Sequence, residues 1–211
     1  MGASCNKAAW RFLEAAPLRP HTAGMSSSLS LTNQLLVAMP WLQDGHFAQS
    51  VTLICEHGAK GALGIVVNKP GTMLFSEVLS QMRLSTTDSQ LAARTTLRGG
   101  PVHPDRGFVV HRPGGQWDSS QRISDQVQVT TSRDVLVAMA AGQGPADAFI
   151  ALGYAGWEAG QLERELLDNA WMTLPMDEQL VFDLPPEQRW QAAWQRLGVD
   201  VGRLSGTAGH A

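Results

Sequence analysis

The amino-acid sequence predicts a single domain of the α+β class, and three observations support this. The chain has 211 residues, a length that favours one domain. Hydrophobic residues make up 44% of the chain and charged residues 17%, which is typical of a protein with a buried core. Strand patterns and helix patterns are interleaved without a regular βαβ period, which favours α+β over a doubly wound parallel sheet.

Short apolar and β-branched runs predict the strands. The strongest are residues 51–57 and 62–68, and the GAKG segment between them fits a hairpin loop. The second run is apolar on both faces, as expected for a buried strand. The other predicted strands are residues 35–38, 107–111, 127–130, 148–154, 171–174 and 180–183.

Apolar residues at helical spacing predict four helices. They cover residues 74–83, a segment from the cap Thr131 or Ser132 to about residue 141, residues 158–170 and residues 187–197. Gly142 and Gly198 stand where a left-handed residue would end a helix. The segment at 41–50 is polar and interrupted by glycine, and it is predicted to be a loop or a short helix. The polar segment at 84–94 is predicted to be a connection.

The two ends of the chain differ in composition from the middle. Residues 1–30 are predicted to be a disordered extension, with Met25 as an alternative start, and residues 202–211 a disordered tail. The domain is therefore expected to span residues 31–201. The chain shows neither the apolar core of a secretory signal nor a run that could span a bilayer, so we expect a cytoplasmic protein.

Composition argues against direct nucleic-acid binding. The formal net charge is −3, and the 16 Lys and Arg residues form no broad basic stripe that could neutralise phosphates. No membrane interaction is expected either. Cys55, His57, His103 and His111 are too widely spaced for a recognisable metal motif, so the sequence predicts no metal and no cofactor.

The tripeptide Cys55-Glu56-His57 is the strongest candidate for chemistry. Strand alternation would place Cys55 and His57 on the same face of the sheet, where a thiolate beside a cationic histidine would be nucleophilic and oxidisable. The alternative is a buried structural cysteine beside a histidine at the end of a strand.

Cations are concentrated between Arg94 and Arg122, where acidic residues are few. The cluster contains Arg98, His103, Arg106, His111 and Arg112. It could hold an anionic ligand or an acidic partner, or it could form solvated faces with local ion pairs. Lys69, in the NKP segment that ends a strand, is either a functional ammonium or part of a turn. The GYAGWEAG segment before a predicted helix could bind an anion or simply form a tight strand–helix turn.

Four blocks in order carry a family resemblance. They are LTNQLLVAMPWLQD, SVTLICEHGAKGALGIVVNKP, LRGGPVHPDRGFVVH and LGYAGWEAGQLERELLDNAWMTLP. Together they resemble the YqgE/AlgH family of bacterial proteins over residues 31–201. The resemblance implies an α+β fold with a bifurcated, partly barrel-like sheet surrounded by helices. The resemblance also implies a role as a transcriptional regulator, and it implies no particular enzymatic reaction.

The resemblance and the loop chemistry together define a predicted ligand or partner surface. Its residues are Asn68, Gly99, Gly100, Pro101, Arg106, His111, Gly153, Trp157 and Gln161. We expect a non-enzymatic regulatory or interaction protein that acts through another protein or a small anionic ligand. A thiol-dependent enzyme or redox sensor using Cys55 and His57 is the alternative.

Overall fold

A branched β-sheet forms the framework of the structure, and helices pack on it. The computed structural model describes residues 30–201, so the predicted extension (apart from residue 30), the alternative start at Met25 and the predicted tail at 202–211 lie outside it. The strands are β1 (Gln34–Ala38), β2 (Val51–Gly58), β3 (Gly61–Val66), β4 (Pro70–Leu74), β5 (Thr95–Arg98), β6 (Val102–His111), β7 (Ser120–Arg122), β8 (Gln128–Thr130), β9 (Ala148–Trp157) and β10 (Trp171–Pro175). The helices are α1 (Phe75–Gln81), α2 (Ser89–Ala92), α3 (Arg133–Ala140), α4 (Gln161–Leu167) and α5 (Pro186–Arg196), with a π-helical turn at Gln179–Asp183.

Strand β9 pairs on both of its edges and holds the sheet together. One edge pairs antiparallel with β6. The other edge forks, because its first half pairs parallel with β5 and its second half pairs antiparallel with β3. From the fork, β3 continues through β2 and β1 to β10, while β5 pairs with β4. The sheet curls into a half-barrel, which confirms the predicted α+β class with a bifurcated, partly barrel-like sheet.

Apolar clusters fill both faces of this sheet. The largest joins the inner face of β1, β2 and β3 to the π-helical turn and α5. A second cluster packs α1 and α3 onto β6 and β9. A third packs α4 onto the outer face of β1 and β2. Covering both faces explains why these strands are apolar throughout rather than alternating. Within residues 30–201, no helix is both long enough and apolar enough to cross a bilayer.

Most of the strongly patterned elements are confirmed. The β2–β3 hairpin forms with a two-residue connection, and α3 and α5 lie within two residues of their predicted bounds. Gly142 and Gly198 have φ values of 71° and 76°, the left-handed conformation expected after a helix. The helix predicted at 158–170 is shorter, because Gly160 has a φ of 73° and α4 begins only after it.

The strand predicted at 180–183 is wrong. The segment is the π-helical turn, in which the Val181 backbone N–H donates to the carbonyl of Asp177 at 3.1 Å and the carboxylate of Asp177 accepts from the N–H of Leu180 at 3.0 Å. Leu180 and Val181 are both fully buried. A short apolar run cannot distinguish a buried strand from a buried helical turn.

Strands β4, β5 and β7 and the short helix α2 were not predicted. β4 alternates between exposed and half-buried residues without a fully buried position, and β5 has only two buried residues. In β7, Gln121 is half-buried between two exposed residues. Such segments lack the apolar alternation on which strand prediction depends, because their pairing is decided by the strands beside them.

Glycine allows the chain to pass through the fork. The N–H of Gly99 donates to the carbonyl of Leu152 at 2.7 Å, and its carbonyl accepts from the N–H of Val66 at 2.8 Å, so Gly99 links β9 to β3. A Cβ atom on Gly99 would lie 2.2 Å from the carbonyl oxygen of Gly153. Gly153 itself has a φ of 76°. The predicted loop glycines therefore have a clear structural role, which is the close approach of two backbones.

We expect Gly99→Ala to lower the free energy of unfolding by about 2–3 kcal/mol, because backbone must move to admit the methyl group. The matched control is Gly58→Ala in β2, where a Cβ atom meets nothing within 4 Å. That change should cost less than about 0.5 kcal/mol. Urea unfolding measures both values. Equal stability of the two variants would show that the fork tolerates a side chain.

Candidate functional site

A cleft opens beside the fork, between the Gly-Gly-Pro loop and the antiparallel pair of β4 and β5. Its volume is about 350 Å³, within the range of small-ligand pockets. The pairing of β4 with β5 brings the two main cations of the cleft together, because the N–H of Arg98 donates to the carbonyl of Lys69 at 2.8 Å. The residues that line the cleft include His46, Lys69, Thr72, Arg98, Gly100 and Pro101.

The charge in this cleft is of one sign. Lys69 and Arg98 line it together with His46, and the described residues around it include neither Asp nor Glu. Burial lowers the pKa of the Lys69 ammonium, and the positive charge of Arg98 lowers it further. Two cations that destabilise each other in a concave site favour the binding of an anion, which would relieve their repulsion.

The predicted surface is only partly assembled here. Gly100 and Pro101 line the cleft, and Gly99 and Gly153 form the fork behind them. Lys69 and Arg98 complete it; the sequence analysis considered Arg98 as part of a possible anion site and Lys69 as a possible functional ammonium. The other members of the predicted surface lie elsewhere, each with contacts that account for it.

Cys55 and His57 do not share a face, and that prediction is wrong. A β-bulge between Ile54 and Glu56 adds a residue to β2 and breaks the alternation of side chains. Cys55 joins the inner apolar cluster, whereas His57 pairs in register with Ala62 on the outer side. The thiol is 2% exposed, and burial, followed by the charge of Glu56, raises its pKa to about 12. This is the environment of a structural cysteine.

His57 connects three segments of the fold. Its Nδ1 accepts the N–H of Leu31 at 3.2 Å, so its Nε2 carries the proton and donates to Glu163 at 3.1 Å. The imidazole is therefore held between the start of the domain and α4, with 4% of its side chain exposed. The contact is one of packing and orientation, and Cys55 takes no part in it.

The side chains of Trp157 and Gln161 both donate hydrogen bonds to the carboxylate of Glu165, a residue that the sequence analysis did not predict as part of a site. Glu165 accepts hydrogen bonds from the indole N–H groups of Trp157 and Trp171 at 2.9 and 2.8 Å. The Nε2 of Gln161 donates to its other oxygen at 2.9 Å. Three donors fix the carboxylate and dock α4 on the sheet. Glu163 and Glu165 thus have different partners, as their spacing of two residues on a helix predicts.

His111 is fully buried, so its assignment to a surface is wrong. It ends β6, with β8 on one side and β9 on the other. Its Nδ1 donates to the carbonyl of Arg112 at 2.7 Å, and its Nε2 accepts from Thr130 at 2.9 Å. Burial lowers its pKa, so the neutral imidazole is favoured. The sequence pattern shows a histidine at a strand end but not which strands will cover it.

Arg112 is neutralised by three carboxylates. Its guanidinium donates to Asp147 at 2.9 Å, to Glu178 at 2.5 Å and to Asp183 at 2.7 Å, and it lies over the ring of Phe182. These acids come from distant parts of the sequence, which is why the segment around Arg112 looked uniformly cationic. Arg112 ties the π-helical turn to β6 and is not available to an anion.

Asn68 and Arg106 also make structural contacts. The Oδ1 of Asn68 accepts the N–H of Val51 at 2.7 Å, and its Nδ2 donates to the carbonyl of Gln49 at 2.9 Å, which fixes the start of β2. Arg106 lies over the ring of Phe108 at 5.1 Å. Among residues 30–201, no three His, Cys, Asp or Glu side chains are arranged to hold a metal ion.

Comparison with known proteins agrees with this architecture. The AlgH-like family model matches residues 35–202. The chain belongs to the AlgH-like family. A UPF0301 protein of Thioalkalivibrio sulfidiphilus is 55% identical over 187 residues, which cover 89% of this chain and all of that protein. A UPF0301 protein of Stenotrophomonas maltophilia is also 55% identical, over 86% of this chain and 96% of that protein.

Solved structures agree with the family assignment. The solution structure of AlgH from Pseudomonas aeruginosa matches with a TM-score of 0.72 and 47% identity, covering 90% of this chain and all of that one. A crystal structure from Corynebacterium diphtheriae matches with a TM-score of 0.65 and 19% identity, over 82% of this chain and 90% of that one, which shows the shared fold. The predicted family resemblance is confirmed. AlgH-like membership is a statement of ancestry and fold, and the cleft must be interpreted from its own residues.

We expect Lys69→Met to raise the free energy of unfolding at pH 7 in the absence of bound anions, by at most about 1 kcal/mol because solvent screens the half-buried ammonium. The folded state lowers the pKa of Lys69 below its ordinary 10.5, so the cost of the charge is present below the folded pKa. It disappears as pH rises from that pKa towards 10.5. Urea unfolding at several pH values measures the difference between wild type and variant. A gap that widens with pH would contradict the assignment.

The thiol of Cys55 should resist alkylation in the native protein. We expect iodoacetamide to label it at pH 8 only after denaturant is added, because it is buried and its pKa is about 12. Mass spectrometry on a Cys5→Ser background measures the labelled fraction. Rapid labelling of the folded protein near neutral pH would restore the thiol-based interpretation.

Proposed function

We propose that this AlgH-like protein is a non-enzymatic regulatory protein that binds a small anion in the cleft beside the Gly-Gly-Pro loop. The observation that carries the proposal is the pairing of Lys69 and Arg98 in a concave site whose lining contains no carboxylate among the described residues. Elsewhere in the fold, Arg112 and Arg196 have acidic partners. Cations kept without acidic partners in a cavity are typical of anion binding.

The position of the cleft suggests how binding could be transmitted. Leu97, Arg98 and Leu152 line it and also form the parallel β5–β9 pair at the fork. An anion held by Lys69 and Arg98 would tighten the β4–β5 pair against β9. The surface of this strand pair would then present a different shape or rigidity to a protein partner.

Regulation through a protein partner fits the charge distribution better than direct DNA reading does. The net charge is −3, and of the cations on α5, Arg189 is buried and Arg196 pairs with Asp177 at 2.8 Å. A helix that reads DNA needs exposed cations to neutralise phosphates. We also propose a cytoplasmic location, which fits a chain with only two cysteines, too few for the disulfide framework of a secreted domain.

The thiol-dependent alternative receives no support from the geometry. A catalytic thiol needs a base within hydrogen-bond reach, and the bulge in β2 separates Cys55 from His57. The burial of Cys55 would also exclude a substrate.

Titration with inorganic phosphate at constant ionic strength, followed by calorimetry and thermal unfolding, tests anion binding. We expect phosphate to bind and stabilise wild type, and Lys69→Met and Arg98→Met each to weaken binding about tenfold or more, since each removes a charged hydrogen-bond donor. Lys60→Met, in the exposed β2–β3 turn, is the matched control and should bind like wild type. Equal loss in Lys60→Met and Lys69→Met, or an absence of binding to wild type, would refute the proposal.

A further inference from the structure

A second and larger cavity shares a wall with the cationic cleft. Thr96 and Leu97 line both, and the volume of the second cavity is about 490 Å³. It lies where β5 and β9 diverge, because their pairing begins only at Leu97 and Ala151. The preceding residues of both strands, 95–96 and 148–150, line the cavity instead. The fork therefore creates an opening that ordinary strand pairing would have closed.

Most of the cavity wall is apolar. Phe75 and Leu91 come from the α1–α2 region, Met139 from α3, Phe149 from β9 and Phe182 from the π-helical turn. A cavity of this size and lining removes apolar ligand surface from water, which favours binding by roughly 25 cal/mol per Å² buried. Apolar walls with a few polar groups are typical of small-molecule sites.

The polar group that distinguishes this cavity is the guanidinium of Arg189 on α5. Arg189 lines the cavity and is only 5% exposed. Its Nε donates to the carbonyl of Leu184 at 2.9 Å, its Nη1 donates to the carbonyl of Val67 at 2.5 Å, and its Cζ lies 5.3 Å from the ring centre of Phe149. These partners are all neutral. A guanidinium has five N–H donors, so donors remain for a further acceptor.

No carboxylate of the described chain forms an ion pair with Arg189. Asp147 also lines the cavity, but it is bound to Arg112 at 2.9 Å. Glu187 also lines the cavity, but its side chain is exposed and it forms no ion pair with Arg189. Burial lowers the pKa of Arg189 to about 10, and the nearby charge of Glu187 partly opposes this shift, so the side chain stays charged at neutral pH. A buried charge whose hydrogen-bond partners are all neutral is costly, and an anion supplied by a ligand would offset that cost.

We propose that this cavity binds a small carboxylic acid with an apolar tail, its carboxylate on Arg189 and its tail along the aromatic wall. Of the two arginines that line the cavity, Arg94 is exposed and Arg189 is buried, so Arg189 is the one set among the apolar walls. Its guanidinium can donate to both oxygens of a carboxylate. A neutral compound of the same shape would fill the cavity but leave the charge unpaired. This site is distinct from the phosphate-type site at Lys69 and Arg98 and does not depend on it.

Calorimetric titration with octanoate and with octan-1-ol tests the proposal on the folded protein. The two probes share an alkyl tail and differ in the carboxylate. We expect octanoate to bind wild type at least about tenfold more tightly than octan-1-ol, because a charged hydrogen-bond pair forms only with the acid. Equal binding of the two, or no binding of octanoate, would overturn the assignment.

Variants locate the site. Arg189→Gln should bring octanoate to the affinity of octan-1-ol, whereas Arg164→Gln, an exposed arginine on α4, should leave the preference unchanged. Because Arg189 also holds two buried carbonyls, Ala146→Phe gives an independent test. Ala146 lines the cavity and is exposed, so the larger side chain should obstruct the opening and weaken both probes. Octanoate binding that survives Ala146→Phe, or a preference that survives in folded Arg189→Gln, would place the ligand elsewhere.

Lys69→Met separates the two sites. It should retain octanoate binding while losing phosphate binding. Failure of phosphate to bind wild type would leave the octanoate result intact, so the two proposals can fail independently.

Discussion

The close approach of two backbones at Gly99 and Gly153 is the constraint on which the rest of the structure depends. One edge of β9 must serve two partners, and this is possible only if the chain that leaves β5 passes directly against β9 before reaching β6. The 2.2 Å between a hypothetical Cβ on Gly99 and the carbonyl of Gly153 shows how little space that passage leaves. The cationic cleft and the apolar cavity both lie beside this crossing because β5 pairs with β9 over only two residues.

The cationic side chains of this fold have different roles, and the groups that each one contacts indicate its role. Arg112 has three carboxylates and acts as a tie between distant segments. Lys69 and Arg98 line the same cleft, and its lining contains no carboxylate. Arg189 has backbone carbonyls and a ring, inside an apolar wall. Placing a cation without an acid nearby lowers stability, so a fold that keeps several such groups next to cavities has surfaces suited to charged ligands.

Sequence reasoning succeeded where local pattern and local geometry coincide. The β2–β3 hairpin, the helix α3 with Gly142 after it, and the family resemblance all follow from neighbouring residues. Arg98 was recognised as part of a possible anion site because the sequence shows a run of cations with few acids nearby, and Lys69 only as a possible functional ammonium. Their convergence was not, since it requires β4, a strand with no apolar alternation of its own.

The errors have long-range causes. The bulge at Cys55 reverses the side-chain alternation on which the shared face with His57 was based, and a bulge has no reliable signature in an apolar run. His111 became buried through strands that are distant in sequence. The sequence analysis did not single out Arg189, because its partners are the backbone carbonyls of Leu184 and Val67, which composition does not reveal.

The parallel pair at the fork also constrains the order in which the chain can assemble. β5 and β9 are separated in sequence by β6, β7, β8 and α3, so they cannot register until that intervening unit has folded back on itself. The β2–β3 hairpin can form early, because its two strands are adjacent in sequence. Closing distant contacts late is slow, because the entropy of the loop is lost before the contacts form. We therefore expect the two cavities beside the fork to form late in folding, so a ligand bound in either would stabilise contacts that close after the local hairpins have formed.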